Sequence, residues 1–175
     1  IGCEFYGVAG MEADCEVISL LLETARVAGI QEVTLDIGHV GIFRGLAELA
    51  KLDAEQEQVL FDILQRKATT ELKAFVTASV TDTIAAELLL AMPNWKGNRN
   101  ILALAGTALT KAPVAVREAI TQLEQIAACI EQRAPDVKLY FDLSELRGYH
   151  YHTGVVFALY VAGVGEAIAN GGRYD

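Results

Sequence analysis

Between positions 44 and 133 the apolar residues keep a helical period, and on either side of that block they alternate as strands do. A chain with that split has few architectures open to it. Inside the block, Asp53 with Gln56 forms a capping box for a predicted helix through Lys67, with Val59, Leu60, Ile63 and Leu64 on its core face. Helices are predicted near 70–77, 81–91 and 100–109. Pro113 stands in the first turn of a longer helix whose buried stripe is Val116, Ile120, Leu123, Ala127 and Ile130. Residues 94–100, with Trp95, Gly97 and polar neighbours, read as a loop.

The flanks read differently. In residues 1–8, Cys3, Phe5 and Val8 alternate with Gly2, Glu4 and Tyr6, which predicts a strand. Asp14 is a candidate N-cap for a helix to about position 28, with Val17, Ile18, Leu21, Leu22 and Ala25 on one face and Gly29 as the stop. Residues 32–37 predict a strand rich in β-branched side chains, and Gly38 and Gly41 flank a turn into a second helical stretch. Beyond Pro135, strands are predicted at 137–143, from 149 to 152 and at 155–161, with 167–169 leading into Gly171 and Gly172. The order predicts an α+β fold with a largely antiparallel sheet. Residues 1–43 and 134–175 form its two parts, and 44–133 are a helical insertion. Both ends fall inside structure, so a piece of a longer polypeptide is expected.

Composition narrows the function classes. Hydrophobic residues make up 53% and charged ones 21%, the balance of a packed globular chain. Mean hydropathy is +0.31, yet the longest apolar run, 84–92, contains Glu87 and is far short of the roughly 20 residues a membrane span needs. No signal peptide opens the chain, and a soluble cytoplasmic protein is expected. Cys3, Cys15 and Cys129 have no paired spacing and read as reduced thiols. No metal site and no cofactor are expected. The formal net charge of −9 disfavours nucleic acid, whose phosphates need positive surface.

The densest polar cluster is Arg147-Gly148-Tyr149-His150-Tyr151-His152-Thr153-Gly154, which holds two of the chain's 3 histidines. Strand alternation would set Arg147, Tyr149 and Tyr151 on one face and His150 and His152 on the other. An arginine fork suits a carboxylate or phosphate, and Tyr and His can bond a ligand's polar atoms. Equally, the stretch reads as a polar sheet rim with Arg147 paired to Glu145 or Asp142. Glu4, an acid in an apolar run, either faces a polar cavity or points to solvent. Gly171 and Gly172 allow a close backbone approach or mark a bulge. His39 reads as a turn or cap residue rather than a base. No serine triad, phosphate loop or paired catalytic carboxylates stand out.

Arg147 to Phe157 resembles the histidine-recognition signature of histidyl-tRNA synthetases, whose usual form is Arg-Gly-Leu-Asp-Tyr-Tyr-Thr-Gly-Thr-Val-Phe-Glu. Gly171-Gly172-Arg173-Tyr174-Asp175 resembles the glycine-rich signature after it. Ile1 to Gly7 looks like the strand closing the second class II motif, and Glu12 to Ile18 like the helix start after that strand. The resemblance implies a class II synthetase antiparallel sheet with a helical insertion. It also implies a histidine pocket, with Glu4 at the amino group, Arg147 near the carboxylate, and Tyr151 and His152 around the imidazole.

Three positions depart from the pattern: His150 replaces Asp, His152 replaces the second Tyr, and Ala158 replaces the Glu after Phe157. That spelling is similar to the paralogous family that serves as regulatory subunit of ATP phosphoribosyltransferase in histidine biosynthesis. This resemblance implies no aminoacylation, a short-form catalytic subunit as partner, a homodimer within a hetero-oligomer, and possible feedback inhibition by histidine. Charge agrees: residues 44–133 carry 10 basic and 11 acidic side chains, and the remainder 4 basic against 12 acidic. A synthetase catalytic-domain fragment and a ligand-free scaffolding module remain the alternatives.

Overall fold

Alternation in Val33–His39 buries Leu35 and Ile37 on one face and leaves Thr34 and Asp36 on the other, which makes this strand, β1, the centre of a sheet. The computed structural model describes residues 1–174. Ahead of β1 runs α1 (Met11–Val27), and after it come α2 (Val40–Leu49), α3 (Ala54–Gln65), α4 (Thr69–Ser79) and α5 (Thr83–Ala91). A two-residue strand β2 (Lys96–Gly97), α6 (Asn100–Ala108) and the long α7 (Val114–Arg133) follow. The chain closes with β3 (Lys138–Asp142), β4 (Val155–Val161) and β5 (Ala169–Gly172).

The sheet order is β2-β3-β1-β4-β5. Only the β1–β3 pairing is parallel; β1–β4, β2–β3 and β4–β5 are antiparallel. One row of the sheet crosses four strands: Asp36 lies opposite Tyr140 on β3 and Ala158 on β4, and Ala158 lies opposite Asn170 on β5.

Helices cover one face of the sheet. Leu35, Ile37, Phe141 and Leu159 share a core with Ile18 of α1, Phe43 and Leu46 of α2, and Leu123, Ile126 and Ile130 of α7. Each such side chain stabilises the fold by about 1.5–3 kcal/mol when fully withdrawn from water. The predicted α7 stripe is buried throughout, from Val116 to Ile130. The Asp53–Gln56 capping box forms, with Gln56 N donating to Asp53 Oδ1 at 2.9 Å. His39 caps α2, as its place before a helical stretch predicts: its Nδ1 accepts from Gly41 N at 3.1 Å. Among the described residues no helix is long and apolar enough to cross a membrane.

Five expectations need correcting. Residues 1–8 are exposed and form no strand, because alternation alone makes no ladder and none of the described strands pairs with them. Asp14 does not cap α1; the helix starts at Met11 with Gly10 as N-cap, and the Asp14 carboxylate is held instead by Arg173. Val59 is 43% exposed, so the α3 core face is Leu60, Ile63 and Leu64. Residues 149–152 form turns rather than a strand, which breaks the expected two-face alternation, and β2 lies inside the predicted 94–100 loop. Asp175 lies outside the described residues.

Candidate functional site

Tyr149 fixes the loop that carries the polar cluster. Its ring is buried against Phe43 of α2 and Phe61 of α3, with centroids 5.0 and 5.4 Å away. Its hydroxyl donates to Glu57, and the Arg44 guanidinium sits 4.8 Å over the ring while its Nη2 donates to the Tyr149 carbonyl at 2.8 Å. Burial, then the Glu57 hydrogen bond, pushes the phenol up to about 12. Tyr149 is therefore an anchor, and His150 leans on the same Phe61 ring.

From this anchor the next two side chains diverge. Tyr151 is exposed and its ring lies 4.8 Å from that of Tyr174. His152 tucks inward between Gly148 and Gly172, and its backbone N donates to Gly148 O at 2.8 Å. A Cβ at Gly172 would stand 2.9 Å from His152 Nδ1 and 2.7 Å from Val155 O, so only glycine fits there. Gly148 has φ +67, the left-handed region that glycine enters without cost.

Two cavities result. The larger, about 420 Å³, lies between residues 3–9, the start of α1, Phe157, Gly172, Arg173 and Tyr174. Glu4 is here, accepting from Tyr6, whose hydroxyl also accepts from Tyr174 at 3.1 Å. Hydrogen bonds from Tyr6 and then Tyr174 hold the Glu4 carboxyl below its usual range. Arg173 shapes the rear wall: it pairs with Asp14 at 3.1 Å and donates to Gly10 O at 2.7 Å.

The smaller cavity, about 20 Å³, is lined by Asp36, Glu145, Arg147, His152 and Asn170, among others. Arg147 Nη2 donates to Tyr160 Oη at 2.9 Å and lies 3.6 Å from Glu145 Oε2. Asp36 is pushed up to about 7, first by burial and then by the charges of Asp142 and Glu145, against the pull of Arg147 and Lys67. Burial likewise lowers His152, opposed by the backbone of Arg173.

The four residues expected at the site thus fall into two pairs. Glu4 lines the larger cavity with Tyr174, against whose ring Tyr151 packs, while Arg147 and His152 border the smaller one. Phe157 lines both, and the rings of Tyr151 and His152, 5.4 Å apart, join the halves. Sequence reasoning did not place Tyr6, Asp36, Asp14 or Tyr174 at the site. Asp36 carried a signal, an acid at an alternating position of an apolar strand; Tyr6 carried none beyond its neighbourhood to Glu4. A carboxylate among phenols suits an ammonium group, and an arginine fork suits an anion. Among the described residues no group of three or more His, Cys, Asp or Glu side chains could hold a metal ion.

Comparison with known proteins identifies the family. Residues 1–175 match the histidyl-tRNA synthetase family. The chain belongs to that family. Two curated relatives, from Saccharophagus degradans and Stutzerimonas stutzeri, are 50% and 52% identical over all 175 residues, and each is named ATP phosphoribosyltransferase regulatory subunit. The chain spans 44% of the length of each. A crystal structure from Bacillus halodurans, described as an ATP phosphoribosyltransferase regulatory subunit/histidyl-tRNA synthetase, is 26% identical with a TM-score of 0.83, covering 97% of this chain and 44% of that one. This member of the synthetase family thus shares the overall fold of that solved relative.

Proposed function

We propose that the chain is part of a regulatory subunit of ATP phosphoribosyltransferase, without aminoacylation activity, needed for the first step of histidine biosynthesis in the cytoplasm. The observation that carries this reading is whole-chain identity of about half to relatives of that name. The departures from the synthetase signature point the same way. His152 puts an imidazole where the synthetase signature has a phenol, and Ala158 puts a methyl group where it has a carboxylate. Residues 1–43 and 134–175 are its synthetase-like part and 44–133 its helical insertion.

Its partner is the short-form catalytic subunit, in a hetero-oligomer built on a homodimer of this subunit. The larger cavity at Glu4 and Tyr174, with Tyr151 packed on Tyr174 and the smaller cavity of Arg147 and His152 beside it, is the place for histidine, the pathway's feedback signal. Two assays test this. Co-expression of the full protein with the catalytic subunit should give one complex that converts ATP and phosphoribosyl pyrophosphate; separate peaks, with full activity in the catalytic subunit alone, would refute it. Histidine-dependent pyrophosphate exchange above background would favour a working synthetase instead.

A further inference from the structure

Among the described residues, the buried side-chain atoms without a hydrogen-bond partner are Asp36 Oδ1 and His152 Nδ1. They border the same small cavity. Buried polar groups left unpaired are costly, so such a coincidence calls for a bridging group. The cavity, about 20 Å³, exceeds the roughly 10–15 Å³ that one water requires and is too small for a substrate. Its lining supplies the two to four polar partners a buried water takes, since Glu145, Arg147 and Asn170 join the two orphaned atoms.

The sheet register explains the space. Ala158 lies between Asp36 and Asn170 in one row across β1, β4 and β5 and lines the cavity with a methyl group. A longer side chain at that position would occupy the same volume.

We propose that one bound water joins Asp36 Oδ1 to His152 Nδ1, and that Asp36 is thereby a positioning residue for the candidate site. The water donates one hydrogen to Asp36 and the other to Nδ1, so the ring keeps its own proton on Nε2. The His152 ring is then fixed between Gly148 and Gly172, and with it the contact to Tyr151. The charged groups facing Asp36 are Asp142 on β3, Glu145 and Arg147 on the loop, and Lys67 after α3. The link from bridge to ligand rests on the histidine-binding role proposed for this site; the bridge itself does not.

The test needs neither ligand nor partner subunit. In a high-resolution crystal structure of the full protein, solvent density should lie within hydrogen-bond distance of both atoms. Nitrogen NMR at neutral pH should show His152 as the single Nε2–H tautomer. Asp36→Val and, independently, Ala158→Val should each move the His152 titration midpoint by about half a unit or more, with Asp36→Asn restoring most of it. No density together with a mixed tautomer in the unmodified protein overturns the bridge, whether or not the variants fold. Variants that fold and leave the His152 titration unchanged overturn it too. Neither result bears on whether the protein regulates the phosphoribosyltransferase.

Discussion

His39 Nε2 lies 2.9 Å from Gln122 Oε1, a contact that ties the end of β1 to the middle of α7. Because Nδ1 already accepts from Gly41 N, the proton sits on Nε2 and the imidazole is neutral. Burial lowers its pKa, so the stabilisation is present above the ordinary histidine range and lost as the pH falls below it. His39→Ala removes a helix cap and strands a glutamine oxygen. Urea denaturation should show a loss of about 2 kcal/mol at pH 8 and less at pH 5.

Asp36 has the opposite sign. Its folded pKa, about 7, is above the usual carboxyl value, so the folded state holds this proton more tightly than the unfolded chain does. Its contribution is greatest at low pH and declines as the pH rises to about 7. Asp36→Asn should raise stability at pH 8 by roughly 1–3 kcal/mol and change it little at pH 4, measured as paired thermal melts.

Arg173 and Asp14 form a pair with side chains only 16% and 13% exposed. Arg173→Met leaves the Asp14 carboxylate buried beside the Gly10 carbonyl that the arginine also bonded. The expected cost is about 3–5 kcal/mol, and the double variant Arg173→Met with Asp14→Leu should recover much of it in denaturant melts.

Lys51 follows α2 with φ 55, a left-handed conformation that costs a non-glycine residue. Its N–H still closes the helix end by donating to Glu48 O at 2.9 Å. Lys51→Gly should therefore stabilise the protein by about 0.5–1 kcal/mol, seen as a raised melting temperature with the denaturant slope unchanged.

For the pocket, calorimetric titration of histidine into the full protein should show Glu4→Gln weakening binding by roughly tenfold or more, the worth of one charge-assisted bond. Arg147→Ala should have a smaller effect, since its guanidinium is already engaged by Tyr160 and Glu145. Equal affinities in all three proteins would remove histidine from this site.

Local chemistry made much of the fold legible. The Asp53–Gln56 box and the α7 stripe each depend on residues within a few turns, and each formed as expected, while Pro113, expected in the first turn of α7, is its N-cap instead. What failed depended on distant partners. Asp14 is a good cap by type, but an arginine 159 positions away claims its carboxylate. The alternation in residues 1–8 is real, yet a strand needs a neighbour that local sequence does not name. For the same reason the four site residues could be chosen but not sorted into two pairs. That division follows the loop that Tyr149 anchors against α2 and α3, in which His152 tucks under Gly172 while Tyr151 stays exposed beside it.

Tyr6 and Tyr174, whose hydroxyls meet at the larger cavity, are 168 positions apart. A ligand gripped by Glu4 and Tyr151 is therefore a clasp on a very long loop. The folded sheet holds the far wall, Phe157 and Tyr174, while the near wall, residues 3–9, pairs with none of the described strands. A ligand at a hundred times its dissociation constant adds about 2.7 kcal/mol to the state it binds. Occupancy should therefore be legible first as protection of residues 1–9 from proteases.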